Sequence, residues 1–405
     1  MTEHSGVWGA DPTRDYEKLA VRFRPIFRRI RDGAVQRESD RTLPFEQIRW
    51  LKDAGFGAVR VPRDHGGAGA TIPELFALLT ELAAADSNIT QALRAHFAYV
   101  EDVLNSRDEA RRERWFKRLR KGDIVGSAWT EIGEAKMAAF STLVSAKGGR
   151  LVLNGAKYYT TGSIFADWID VGAVNDAGET VSVVVSATAA GVDIVDDWDG
   201  FGQRLTGSGT ATFTNVPVEP DQVVAGEERF GYSAAFVQQA HLATLVGIAR
   251  AASADAAKAV ADRRRTYSHA AAARSSEDPQ VLQVIGRVHS LSYAAGAVAL
   301  KAAEALQRSF DQKDAGGAAD AANVAAEIEI AQAQTIVSAL TLEATGALFD
   351  ALGASATARA KSFDRYWRNA RTITSHNPRI YKDRIVGDYV VNGTPPPFQW
   401  RIGQA

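Results

Sequence analysis

Between Phe363 and Asn377 the chain gathers aromatic rings, three arginines, an asparagine and a histidine within about four helical turns. Asp364, Arg365, Arg368, Arg371 and Thr372 recur at spacings of three and four, which places them on one side of a helix. His376 follows just before Asn377-Pro378 ends that helix. Guanidinium groups so spaced suit a phosphate or carboxylate, and an imidazole titrates near neutral pH and moves protons. A solvated helix end with a terminal histidine would explain the same residues, so the surrounding elements must decide. His96 is a second candidate, beside the stripe Leu93, Phe97, Val100 and Leu104, where a structural core histidine is the plainer reading. Gly66, Gly67 and Gly69 could cradle a phosphate but lack the Lys-Ser/Thr of a P-loop, which favours an ordinary loop. In the run Arg263, Arg264, Arg265, neighbours diverge by about 100° on a helix, so at most one points inward well.

The elements that would position these residues follow an α–β–α order. Leu19, Phe23, Phe27 and Ile30 predict a buried helix face that Pro25 kinks or splits, and helices are expected from near Pro44, over Ile72–Ala85 and over Thr90–Leu104. From Val125 short apolar runs alternate with Gly, Asn and Asp turns, with Asn154-Gly155 the strongest turn signal; the lack of long helices among them predicts antiparallel pairing in a small barrel or sandwich. Long Ala-rich helices then fit Ala235–Asp262, Val281–Asp311, Ala318–Asp350 and Ala360–Thr374, a four-helix bundle followed by the non-helical NGTPPPFQW tail. The expected class is α+β: an N-terminal helical domain (1–124), a central antiparallel β domain (125–228) and a C-terminal helical bundle with its tail (229–405).

A chain of 405 residues, 46% hydrophobic, buries a large core. Its formal net charge of −1 gives no global attraction to nucleic acid or an anionic membrane, and without cysteine there is no disulfide, thiolate metal site or cysteine nucleophile. The polar first residues lack a signal-like apolar segment and the apolar runs are broken by charges, so a cytoplasmic protein without a membrane helix is expected.

Five motifs in order, VPRDHGGAG, GSAWTEIG, LNGAKYYTTG, GTATFTNVPV and FDRYWRNAR, resemble the acyl-CoA dehydrogenase superfamily over nearly the whole chain. The resemblance implies a homotetramer with a flavin between the β domain and the bundle, each site completed by a neighbouring subunit. Dehydrogenases of the superfamily need a carboxylate base, yet this chain reads Thr374-Ser375-His376-Asn377 at one usual location, and Leu242–Ile248, near the other, has no acid. YWRNARTITSHNPRIYKDRIVGDYVVNGTPP and WDGFGQRLTGSG are similar instead to the group D two-component flavin monooxygenases, in the dibenzothiophene monooxygenase and sulfur-acquisition group. That branch implies reduced FMN delivered by a separate flavin reductase, O2, a C4a-hydroperoxyflavin, and oxygen transfer to a small apolar, sulfur-containing or aromatic substrate. An FAD-dependent acyl-CoA dehydrogenase with a displaced base and a non-catalytic scaffold are the alternatives.

Carried over residue by residue, the resemblance gives His376, His96 and Thr161 catalytic roles, with His376 near the flavin peroxide and Thr161 by the flavin N5 edge. Trp129, Thr130, Thr160 and Thr161 are expected along the isoalloxazine, and Arg265, Ser268, Ser355 and Arg371 are candidates for the flavin phosphate. No metal is implied. Ile132 makes the pocket more apolar than in the sulfur-oxidising relatives, and Phe97, Tyr99 and Phe140 are expected to line it.

Overall fold

The first apolar stripe forms two helices, α1 (Tyr16–Ala20) and α2 (Arg24–Asp32), with Pro25 in the first turn of α2, where its missing N–H costs no helical hydrogen bond. The computed structural model describes residues 8–131, 140–225 and 229–398. Short helices α3 (Ala34–Asp40) and α4 (Phe45–Asp53) lead into the buried pair α5 (Ile72–Ala85) and α6 (Ser87–Asn105), and α7 (Glu109–Arg120) closes the first helical layer. A capping box between Thr71 and Glu74 starts α5. Asp86 starts α6: one carboxylate oxygen accepts from Asn88 N, and the other takes Arg37 Nη2 at 2.9 Å. The start of α6 is thereby fixed to α3.

The middle of the chain is one eight-stranded sheet: β1 (Val125–Ala128), β2 (Leu143–Lys147), β3 (Arg150–Lys157), β4 (Trp168–Val174), β5 (Thr180–Ser186), β6 (Val192–Val195), β7 (Thr210–Val218) and β8 (Val223–Ala225). Neighbours run β6-β7-β3-β2-β4-β5-β8, with β1 beside β4. The sheet is mixed where pure antiparallel pairing was expected, because β1 pairs β4 in parallel, Val125 opposite Trp168, and Leu143 of β2 meets Val174 of β4 in parallel. A parallel pair needs only a long enough crossover, which the β2–β3 hairpin supplies without a helix. The hairpin turn is Gly148-Gly149, both at positive φ (60° and 79°), between the paired Lys147 and Arg150. Asn154-Gly155, the expected turn, is instead a bulge inside β3, where Gly155 adopts φ 149° and leaves no room for a Cβ beside Thr142.

Long helices α8 (Ser233–Asp262), α9 (Pro279–Asp311) and α10 (Gly317–Leu352) pack on one another and on α5 and α6, joined by α11 (Asp364–His376). A further helix, α12 (Lys382–Asn392), was not anticipated: the three prolines that argued against helix begin only at Pro395. Among the described residues α10 alone is long and apolar enough to cross a membrane, and it packs between α8, α9, α11 and α12. Alanines fully buried on facing helices, such as Ala252, Ala303 and Ala344, fit close helix approach.

Candidate active site

Helix α6 is the spine of the site. The loop carrying Thr160–Gly162 rests directly on it: a Cβ on Gly162 would lie 2.0 Å from the Ala92 carbonyl oxygen, and Gly162 holds φ 81°. A second loop, Asp196–Gly209, threads between α6 and α11. Asn369 of α11 accepts from Gln203 N at 2.6 Å, Asn88 of α6 accepts from Leu205 N at 3.2 Å, and Gly202 lies so close to Arg368 O that a Cβ would sit 2.2 Å away. Gly162→Ala combines a disfavoured φ with a backbone clash, and a stability loss of about 2 kcal/mol in a denaturant melt is expected. A melt within experimental error of wild type would show that the loop yields.

Between these loops three hydroxyls form a chain whose direction is fixed by proton count. Thr206 Oγ1 donates to Gln203 O at 2.9 Å, so Ser208 Oγ donates to Thr206 Oγ1 at 2.7 Å. Thr161 Oγ1 must then donate to Ser208 Oγ, also at 2.7 Å. With its only proton used, Thr161 Oγ1 is left as an acceptor. Thr160 is less available: its N–H and its hydroxyl both bond Gly209 O, at 3.0 and 2.8 Å, so it straps the two loops together and has no hydroxyl proton for a cofactor.

Beside Ala92 on α6, Gln91 and Arg94 neighbour His241 in the first half of α8 and His376 at the end of α11. The His376 ring packs on that of His241 in α8, with centroids 4.3 Å apart. His376 Nδ1 donates to Asn377 Oδ1 at 3.1 Å, Asn377 Nδ2 to Gln238 Oε1 at 2.7 Å, and Gln334 Nε2 to Asn377 O at 3.0 Å. This network puts the His376 proton on Nδ1 and leaves Nε2 as a free lone pair. The surrounding protein, and then the Arg94 guanidinium, push His376 down to about 4, although the residue is exposed in the single chain. His241, fully enclosed, is pushed well below the ordinary histidine range by burial and then by His376 and Arg94. Both rings are therefore neutral at physiological pH. No described carboxylate contacts either one.

His96 occupies the other side of α6. It is completely buried, with Nε2 2.9 Å from Gly57 O and Nδ1 accepting from Val125 N at 3.2 Å. Both nitrogens are spent on backbone, and burial lowers its pKa to about 4, so the expected catalytic role gives way to a structural one joining α6 to β1. Two residues along a helix rotate a side chain by about 200°, which separates His96 from Arg94. Phe97 and Tyr99 are likewise core, against Phe56 and Trp115. Sequence reasoning missed Gln91, Arg94 and His241; the signal for the first two was their spacing of three on a helix otherwise apolar around them.

Trp129 donates its indole N–H to Asp170 at 2.9 Å, lies over Gly172 against Phe140, and has the Arg229 guanidinium 4.1 Å from its ring centroid. Thr130 is half-buried; its carbonyl takes Tyr158 N, and its hydroxyl makes no hydrogen bond among the described residues. The Ile132 expectation lies outside the described residues. Arg371 is half-buried, and its side chain makes no hydrogen bond among the described residues.

Arg265, Ser268 and Ser355 are exposed at the far end of the bundle, where Arg263 Nη1 reaches Leu352 O at 3.2 Å and the loops after α8 and α10 meet at Tyr267 and Gly353. Arg263 is thus the member of the arginine run that packs inward. From His241 to Arg263, α8 extends roughly 33 Å at 1.5 Å per residue. One chain therefore cannot bring this group and His376 to the same small molecule.

Glu131, from GSAWTE, ties the site's entry strand to the sheet. It accepts from Ser141 N and Oγ (both 2.7 Å), Thr142 N (3.1 Å), Thr142 Oγ1 (2.8 Å) and Lys157 Nζ (2.5 Å). Burial opposes its charge, but these donors, Lys157 first, win and hold it at about 2 against an ordinary 4.5. A folded-state pKa below the unfolded one stabilises the fold fully above 4.5, and that stabilisation fades as pH falls toward 2. Melting midpoints from pH 6 to 2 should fall less steeply in Glu131→Gln than in wild type; parallel curves would refute the assignment.

Residues 18–123 match the acyl-CoA dehydrogenase N-terminal domain and residues 240–378 the acyl-CoA dehydrogenase C-terminal domain. The chain belongs to the acyl-CoA dehydrogenase superfamily. Within it, the chain is 29% identical to the dibenzothiophene monooxygenase of Mycolicibacterium goodii, over 98% of this chain and 99% of that one. It is 29% identical to the probable FMNH2-dependent monooxygenase SfnC of Pseudomonas putida, over 90% and 92%. The structure of FMN-bound TdsC from Paenibacillus sp. A11-2 superposes with a TM-score of 0.87 at 26% identity, covering 94% of this chain and 99% of that chain.

Proposed function

We propose that this chain is an FMNH2-dependent monooxygenase that uses O2 to oxygenate a small sulfur-containing or aromatic molecule. The observation that carries the reading is the neutral His376–His241 pair without a carboxylate: among the described residues no base stands there to take the proton α to a thioester. The full-length likeness to monooxygenases, one of them FMN-bound, supports it.

The residues fit reduced FMN. A reduced isoalloxazine carries N–H groups that need acceptors, and the hydroxyl chain leaves Thr161 as one. Thr161, Thr130, Trp129 and Arg371 would hold the cofactor from one chain. Arg265, Ser268 and Ser355 would reach the phosphate end from a neighbouring chain, which their separation from His376 requires. That sharing supports a homotetramer, and the exposed apolar Ile380, Val390 and Val391 at 77%, 70% and 80% offer contact surface. Bound reduced FMN supplies two electrons and the reaction with O2, and a separate reductase delivers it. His376 Nε2 accepts or returns a proton while Asn377 fixes the opposite nitrogen, and since His376 is exposed in one chain, the bound flavin or a neighbouring chain would exclude water there. The chain then divides into units 1–124, 125–228 and 229–405 of a cytoplasmic enzyme.

The test mixes the protein anaerobically with reduced FMN and a panel of neutral and anionic sulfur compounds, then admits labelled O2. One labelled oxygen atom in a product supports the reading. Copurified FAD bleached by an acyl-CoA, with no labelled product, would sink it.

A further inference from the structure

Among the described residues the inward-packed cations are compensated by a carboxylate or an aromatic ring, and Arg94, half-buried with a buried Nε, is the exception. Arg37 pairs with Asp86 at 2.9 Å, Arg60 with Glu101 at 2.8 Å and Arg111 with Asp102 at 2.7 Å. Arg250 Nε also lacks a hydrogen-bond partner, but its guanidinium lies over the Trp8 ring at 5.0 Å with Glu81 near enough to favour its charge. Arg94 has none of these. Its Nε is buried without a partner, it forms no ion pair among the described residues, and burial alone draws it down, to about 10, with no carboxylate offsetting the loss. It remains a cation at neutral pH.

Its neighbours repeat the pattern. Gln91 Nε2 lies 3.4 Å from His241 Nε2, so the His241 proton sits on Nδ1, a buried donor without a partner. Gln91 Oε1 is a buried acceptor without one. A guanidinium N–H and an imidazole N–H thus stand unanswered beside the exposed His376 ring, where buried polar groups are normally satisfied. Two donors and a net positive charge call for an oxyanion. The flavin phosphate is a poor occupant, because the basic group assigned to it lies at the opposite end of α8.

We propose that Arg94, assisted by His241 and Gln91, binds the anionic head group of the substrate, a carboxylate, sulfinate or sulfonate, and so selects small oxyacid substrates over neutral aromatic ones. This rests on the monooxygenase reading for the word substrate, but the anion site itself is independent of it.

Calorimetric titration of the flavin-free protein with benzoate and methanesulfonate, and with their neutral counterparts benzamide and dimethyl sulfone, tests the site. Wild type should bind both anions and prefer them to the amide and sulfone. Arg94→Met should weaken anion binding at least tenfold and Arg94→Lys less, with reduced-FMN affinity within twofold of wild type in both. Circular dichroism confirms folding, and Lys retains the charge if Met proves unstable. Equal benzoate affinity in wild type and Arg94→Met would overturn the proposal, as would a parallel loss of FMN binding, which would make Arg94 a flavin ligand. Anion binding lost on Arg94→Met in a wild type that binds no FMN would uphold the site while removing the monooxygenase reading.

Discussion

Replacing Arg60 by Met should destabilise the protein by about 3–5 kcal/mol, since a buried carboxylate would lose the guanidinium that bonds both its oxygens. Arg60 Nη2 and Nε bond both oxygens of Glu101 at 2.8 to 3.0 Å, and Nη1 bonds Ala70 O at 2.6 Å. Glu101 is completely buried, and Tyr232 of the loop before α8 donates to it at 2.6 Å while accepting from Asn105 at 3.0 Å. The cluster holds the C-terminal half of α6 against both the N-terminal layer and the bundle. Its loss therefore reaches Gln91 and Arg94 through the helix that carries them. Urea denaturation of Arg60→Met, Glu101→Gln and the double variant is the measurement. The double variant should recover part of the loss because no charge is left unpaired. A loss below about 1 kcal/mol in Arg60→Met would mean that water reaches Glu101.

His376→Ala should lower product formation by about 100-fold or more, the scale of a positioned proton-transfer group, and divert reducing equivalents to hydrogen peroxide. Because Thr161 and the phosphate-end residues are untouched, FMN affinity should change little. The sign of its pH behaviour follows from its surroundings. With a folded pKa of about 4, His376 is neutral before substrate binds, and its ring protons in an NMR titration should move little between pH 8 and 5, with the midpoint well below 6.5. Arg94 on α6 and His241 on α8 face it, and Gln334 on α10 anchors its neighbour, so no anion pulls the titration back up. A midpoint near 6.5, or unchanged coupling of FMNH2 oxidation to product in the alanine variant, would remove its assigned role.

Much of this was legible in the chain itself. The stretch Asp364–His376 is a helix with Arg365, Arg368 and Arg371 at the expected spacings, because helical periodicity is a local property of sequence. The order of helices, sheet and bundle follows from hydrophobic period and turn residues, and the absence of an acid beside His376 is a fact of composition. What the sequence did not fix was which side chains are already spent. His96 and His376 are both histidines on helices that pack into the core. Only the tertiary structure gives the first two backbone partners and the second one free nitrogen. Thr160 and Thr161 are adjacent and chemically identical, yet one hydroxyl is consumed by Gly209 O and the other ends a relay as an acceptor. Arg94 looked like any helix arginine until the fold surrounded it without a carboxylate. Residue identity and period are local and were determined by the sequence alone. Hydrogen-bond satisfaction and charge pairing depend on distant neighbours, such as Glu101 for Arg60 and Ser87 for Asn369, 41 and 282 residues away along the chain, and only folding decides them.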